Sequence, residues 1–73
     1  MTLYEFNALN ENERAEVLWE QTPLSQRFEQ PSCVILLYSL QDFYAEVFYD
    51  QEENRITRVR GFRALHLLAP YLP

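Results

Sequence analysis

The apolar positions follow two different rhythms. Up to about residue 21 they recur every three or four residues. Leu3, Phe6 and Leu9 form one face of a short first helix, and Thr2-Leu3-Tyr4-Glu5 has the form of a capping box at its start. Asn10 repeats the start signal three residues before Glu13, and Ala15, Leu18 and Trp19 follow at i, i+3 and i+4. This predicts a second helix over Glu11–Gln21, with Glu11 and Glu13 in its first turn, where the helix dipole favours them. Thr22-Pro23 ends it, because a residue before proline is pushed out of the α region.

From there the period becomes two. Leu24–Glu29 reads as a weak edge strand and Gln30-Pro31-Ser32 as a turn. Cys33–Leu40 is apolar on both alternating sets, as in a central strand. Gln41-Asp42 has the length of a tight hairpin loop, and Phe43–Asp50 is the third strand. Gln51–Asn54 is a second turn, with Asn54 suited to the left-handed conformation, and Arg55–Phe62 is the fourth strand. Ala64–Ala69 reads as a short terminal helix and Pro70-Tyr71-Leu72-Pro73 as an ordered tail. The predicted fold is α+β in a single domain over residues 1–73: two helices, a four-stranded antiparallel meander and a C-terminal helix.

A two-residue hairpin loop fixes one register. Leu40 faces Phe43, Tyr38 faces Ala45, Leu36 faces Val47 and Val34 faces Tyr49. All eight are apolar or aromatic, so this is the face expected under the helices, through Leu3, Phe6, Leu18, Trp19, Leu65 and Leu68. Trp19 reads as a core anchor. The opposite face carries Cys33, Ile35, Leu37 and Ser39 beside Tyr44, Glu46 and Phe48. The fourth strand allows two registers. A three-residue loop pairs Glu46 with Arg58 and Phe48 with Ile56. A four-residue loop turns Arg58 and Arg60 toward the helices, where unpaired guanidinium groups are costly. The first is favoured, with or without a bulge. It leaves a second face bearing Ile35, Leu37, Tyr44, Phe48 and Ile56, with Arg58 and Arg60 beside them. Three short helices are not expected to cover both sides, although a tail including Tyr71 and Leu72 could fold back over this one. An uncovered patch of this kind marks an interaction site.

Composition narrows the chemistry more than it assigns any. With 48% apolar residues the 73-residue chain is too hydrophobic for disorder, and charge interrupts it too often for a membrane span. There is no lysine, one Gly (Gly61), one Cys (Cys33) and one His (His66). This removes Schiff-base chemistry, glycine-rich phosphate loops, dinucleotide fingerprints, structural zinc and a disulfide framework. Asp50, Glu52 and Glu53 lack the spacing of a calcium loop and read as an exposed hairpin tip. No cofactor and no metal are expected. The N-terminal residues have no basic or long apolar run, so the expected location is the cytoplasm.

Charge is unevenly spread. Arg55, Arg58, Arg60 and Arg63 lie in a stretch free of acids, whereas the whole chain carries −5. Interleaved with Tyr44, Phe48, Phe62 and His66, these arginines could clamp an anion or stack on single-stranded nucleic acid. The simpler role is pairing with Glu46 and other acids, and the net charge disfavours a phosphate backbone. They could also meet the acidic helix (Glu11, Glu13, Glu16, Glu20) of a second copy. For catalysis, His66 would need Cys33 or Glu46 as a partner, and no orienting motif surrounds any of them. The expected function is therefore a non-enzymatic interaction module, a homodimer or a binder of another protein. Its contacts run through the second sheet face (Ile35, Leu37, Tyr44, Phe48, Ile56, Arg58, Arg60) or a sheet edge. Anion binding by Arg55, Arg58, Arg60, Arg63 and His66 is the alternative.

Overall fold

The computed structural model describes residues 1–72. Two α-helices, α1 (Leu3–Ala8) and α2 (Glu11–Trp19), precede four strands: β1 (Ser25–Glu29), β2 (Cys33–Ser39), β3 (Tyr44–Asp50) and β4 (Arg55–Phe62). A 3-10 helix, Leu65–Tyr71, follows. The strands form one antiparallel sheet in the order β1-β2-β3-β4, so the α+β meander read from the sequence is the fold.

Both helix starts are complete capping boxes. The Glu5 N–H donates to the Thr2 hydroxyl and the Thr2 N–H to the Glu5 carboxylate; Asn10 and Glu13 repeat the exchange. The second helix stops at Trp19, two residues before the expected Gln21, with Glu20 as its C-cap. The terminal helix is of the tighter 3-10 form and takes in Pro70, where the sequence predicted a helix ending at Ala69 and then a tail. Pro73 lies outside the described residues.

The β2–β3 register is the expected one: Tyr38↔Ala45, Leu36↔Val47 and Val34↔Tyr49. The β3–β4 register is neither of the two alternatives. The loop holds four residues, with Asp50 opposite Arg55 and Tyr49 opposite Ile56, and a bulge beside Phe48 then shifts the pairing. Beyond it Phe48 faces Arg58, Glu46 faces Arg60 and Tyr44 faces Phe62. The extra residue, Thr57, returns Arg58 and Arg60 to the side away from the helices. Ile56 precedes the bulge and therefore stays on the helix side, which corrects its expected place on the second face.

The main core lies between the helices and β3–β4. It comprises Phe6, Leu18, Tyr38, Phe43, Ala45, Val47 and Val59, each fully buried apolar side chain contributing roughly 1.5–3 kcal/mol. The Phe6 and Phe43 rings meet with centroids 5.2 Å apart. Small residues let α1 come close: Ala45 faces Gly61, and a Cβ on Gly61 would stand 2.8 Å from Leu3 Cδ1 and 2.9 Å from Phe6 Cδ2. Arg14 then ties the corner. Its Nε donates to the Phe6 carbonyl (3.2 Å), Nη2 to Asn7 (2.8 Å) and Nη1 to Val59 (3.0 Å). One guanidinium thus satisfies two carbonyls at the end of α1 and one on β4.

The second face is not left open. The 3-10 helix packs back against β1, and Ile35 and Leu37 are buried within the chain. The foldback of Tyr71, considered as the alternative from the sequence, is what the structure contains. The helix lies against this face, not the first, so Leu65 and Leu68 do not join the core under α1 and α2. Leu68 lines a cleft with Leu37, Tyr44 and Tyr71, and Leu65 is exposed.

Candidate functional site

Covering the second face requires Glu46 to be dealt with, since its side chain is 0% exposed. Arg60 Nε and Nη2 both lie 2.6 Å from Glu46 Oε1, and the Tyr71 hydroxyl donates to Oε2 at 2.6 Å. Arg27 Nη2 approaches Oε2 at 3.5 Å while its Nη1 pairs with Glu29 at 2.5 Å. The Arg27 guanidinium also lies beneath the Tyr71 ring, 5.3 Å from its centroid. Burial, then the hydrogen bond to Glu46, raises the Tyr71 pKa well above the ordinary phenol range. This arrangement locks the terminal helix to the sheet. It leaves Glu46 with no free oxygen aimed at a substrate.

The expected interface residues are consequently divided. Ile35 and Leu37 are buried, Leu37 beside Leu68, Tyr71 and Leu72 of the terminal segment. Tyr44 stacks on Phe62 with centroids 5.8 Å apart. The Arg58 and Arg60 guanidinium groups both lie over the Phe48 ring, 5.5 and 5.7 Å from its centroid. Ile56 is on the opposite face. The candidate anion residues do not converge either. Arg55 pairs with Glu53 (2.6 Å), Arg60 with Glu46, and Arg63 donates to the Asp42 carbonyl (3.2 Å). Arg58 has no acidic partner among the described residues, and His66 is exposed on the 3-10 helix. Among the described residues no group of three His, Cys, Asp or Glu side chains is placed to hold a metal. No helix of the described residues is long and apolar enough to cross a membrane.

The surface that stays uncovered is on the helix side. At about 1.5 Å per residue, α1 and α2 are roughly 9 and 14 Å long, and both pack on β4. They do not reach the far end of the sheet. There a row of cross-strand neighbours, Phe28–Val34–Tyr49–Ile56, runs over all four strands. Phe28 is 66% exposed and Ile56 38%. The Tyr49 hydroxyl donates to the Asn54 side chain, in the turn next to Ile56. Asn54 adopts the left-handed conformation foreseen for the turn (φ 54°). Trp19, at the end of α2, is 82% exposed and not the core anchor its helical spacing implied. Between it and the sheet lies an open apolar groove of about 340 Å³ lined by Leu36, Tyr49 and Ile56 among others.

Two features conceal this strip in the sequence: the helical period does not show how far the helices reach across the face, and nothing between β3 and β4 shows the bulge that keeps Ile56 on the helix side. The available signal is Thr22-Pro23, which ends α2 close to Trp19 and leaves its last turn nothing beyond to bury the indole. No protein-family model matches the chain, and comparison with curated proteins and with solved structures gives no match.

Proposed function

We propose that the protein is a non-enzymatic interaction module and that its partner is a second copy of itself, bound through the apolar strip on the helix side. The observation that carries this is the row from Phe28 to Ile56, exposed at both ends and half-buried at Val34 and Tyr49, with the exposed Trp19 above it. Aromatic side chains in a contiguous exposed apolar patch are what protein interfaces concentrate. The strip runs out to β1, a sheet edge, so a second copy can extend it without rearranging the fold. Anion binding has less support, since three of the four arginines of the β4 segment are already engaged by Glu53, Glu46 and the Asp42 carbonyl. The site of action proposed is a reducing cytoplasm, which suits the free Cys33 thiol.

Sedimentation equilibrium from micromolar to millimolar protein, under reducing conditions, should show a monomer–dimer transition. Phe28→Glu, at the β1 end of the strip, should shift the transition to higher concentration while far-ultraviolet circular dichroism stays unchanged. A constant monomer mass throughout overturns the proposal.

A further inference from the structure

The two edges of the sheet are not equivalent. At β4 the bulge breaks the ladder and Arg14 occupies the Val59 carbonyl, two devices that keep an edge from pairing. Neither is present on β1. Its outward-facing groups follow from alternation. The Leu40 N–H donates to the Phe43 carbonyl at the hairpin, so Tyr38, Leu36 and Val34 bond toward β3, and Leu37, Ile35 and Cys33 toward β1. The Leu37 carbonyl accepts from the Leu24 N–H at 2.7 Å, so Leu37 does bond toward β1; the donor stands one residue before Ser25, its partner in the ladder, and the alternation on β1 is counted from the regular pairs that follow. Arg27 and Glu29, opposite Ile35 and Cys33, therefore bond inward. The backbone N–H and C=O groups of Gln26 and Phe28 face the open edge.

We infer that two copies join edge to edge through β1, antiparallel, about a two-fold axis at Phe28. This rests on the self-association proposed above and specifies its geometry. Charge selects the register. An axis at Phe28 sets Arg27 opposite the partner's Glu29, twice by symmetry, and adds those pairs to the Arg27–Glu29 contact already made within each chain. An axis at Arg27 sets Arg27 against its own copy. An axis at Gln26 sets Arg27 opposite Ser25 and forms no ion pair. In the Phe28 register each Phe28 N–H donates to the other Phe28 carbonyl, and the exposed ring meets its symmetry mate. The two strips then become one band across eight strands.

Amide hydrogen exchange by NMR, at concentrations below and above the association midpoint, tests this. The Phe28 amide should exchange freely in the monomer and slow by about fivefold or more in the dimer, as expected for one new backbone bond of about 1 kcal/mol or better. The Arg27 and Glu29 amides should be protected in both states. Glu29→Arg, which sets like charges opposite each other, should weaken the dimer several-fold. If a dimer forms and the Phe28 amide stays unprotected, or Glu29→Arg leaves the midpoint unchanged, β1 pairing is wrong and the strip proposal stands. If no dimer forms at any concentration, both fall.

Discussion

Replacing Glu46 by Leu tests the account of the second face. The substitution keeps much of the volume and removes the carboxylate that Arg60 and Tyr71 both engage at 2.6 Å. The Tyr71 hydroxyl, the Arg60 guanidinium and one nitrogen of Arg27 lose their acceptor together. Breaking a buried pair from one side costs about 3–5 kcal/mol. Here the low end applies, because Arg60 is 26% exposed and its guanidinium can reach water over Phe48. A cost of about 3 kcal/mol is a large share of the roughly 4–11 kcal/mol total expected for 73 residues. With an m-value of about 1 kcal/mol per molar in urea, the unfolding midpoint should fall by about 3 M. A double-mutant cycle with Tyr71→Phe isolates the hydroxyl–carboxylate bond and should return a coupling of about 1.5–3 kcal/mol. A Glu46→Leu midpoint within about 1 M of the wild type would refute the reasoning, since it would mean the carboxylate holds nothing in place.

Three further outcomes are expected. Gly61→Ala should cost about 1–3 kcal/mol in urea unfolding, because its Cβ meets Phe6, which is fully buried and cannot move aside as the Leu3 methyl can. The Tyr71 pKa is raised in the folded state, so its contribution is complete below pH ~10 and declines as pH climbs from there through the folded value; stability measured against pH should show this alkaline limb, shallower in Tyr71→Phe. Asp50 behaves oppositely. The Glu53 N–H, then the Ser32 hydroxyl, hold its pKa down, so its contribution is present above pH ~4 and lost as pH falls through the folded value, and Asp50→Asn should flatten that acid limb.

The local signals carried the architecture. Capping boxes, the switch from helical to alternating period, and a two-residue loop between Leu40 and Phe43 were enough for the element order and the β2–β3 register, because each is decided within a few residues. What the sequence could not supply was decided at long range. Nothing near Thr57 announces a bulge: no Gly stands there, and the reason for it lies in Glu46, on another strand. Tyr71 reads as tail until a carboxylate 25 residues away gives its hydroxyl a destination. Arg14 looks like one more solvated helix charge, although it bridges α1 and β4. The candidate site inherited these gaps. Placing Ile56 depended on the bulge, and uncovering Trp19 depended on how far the helices reach.

The unbroken succession of hairpins has a kinetic consequence. Every strand pairs with its neighbour in the chain, so the sheet can assemble from contacts between nearby residues, which favours rapid folding. The terminal 3-10 helix is different, since it has to find a sheet that already exists. Glu46 should accordingly remain hydrated through most of the folding reaction and lose its water only when Tyr71 docks. Dehydration of that carboxylate would then be among the last events of folding, and its rehydration among the first of unfolding.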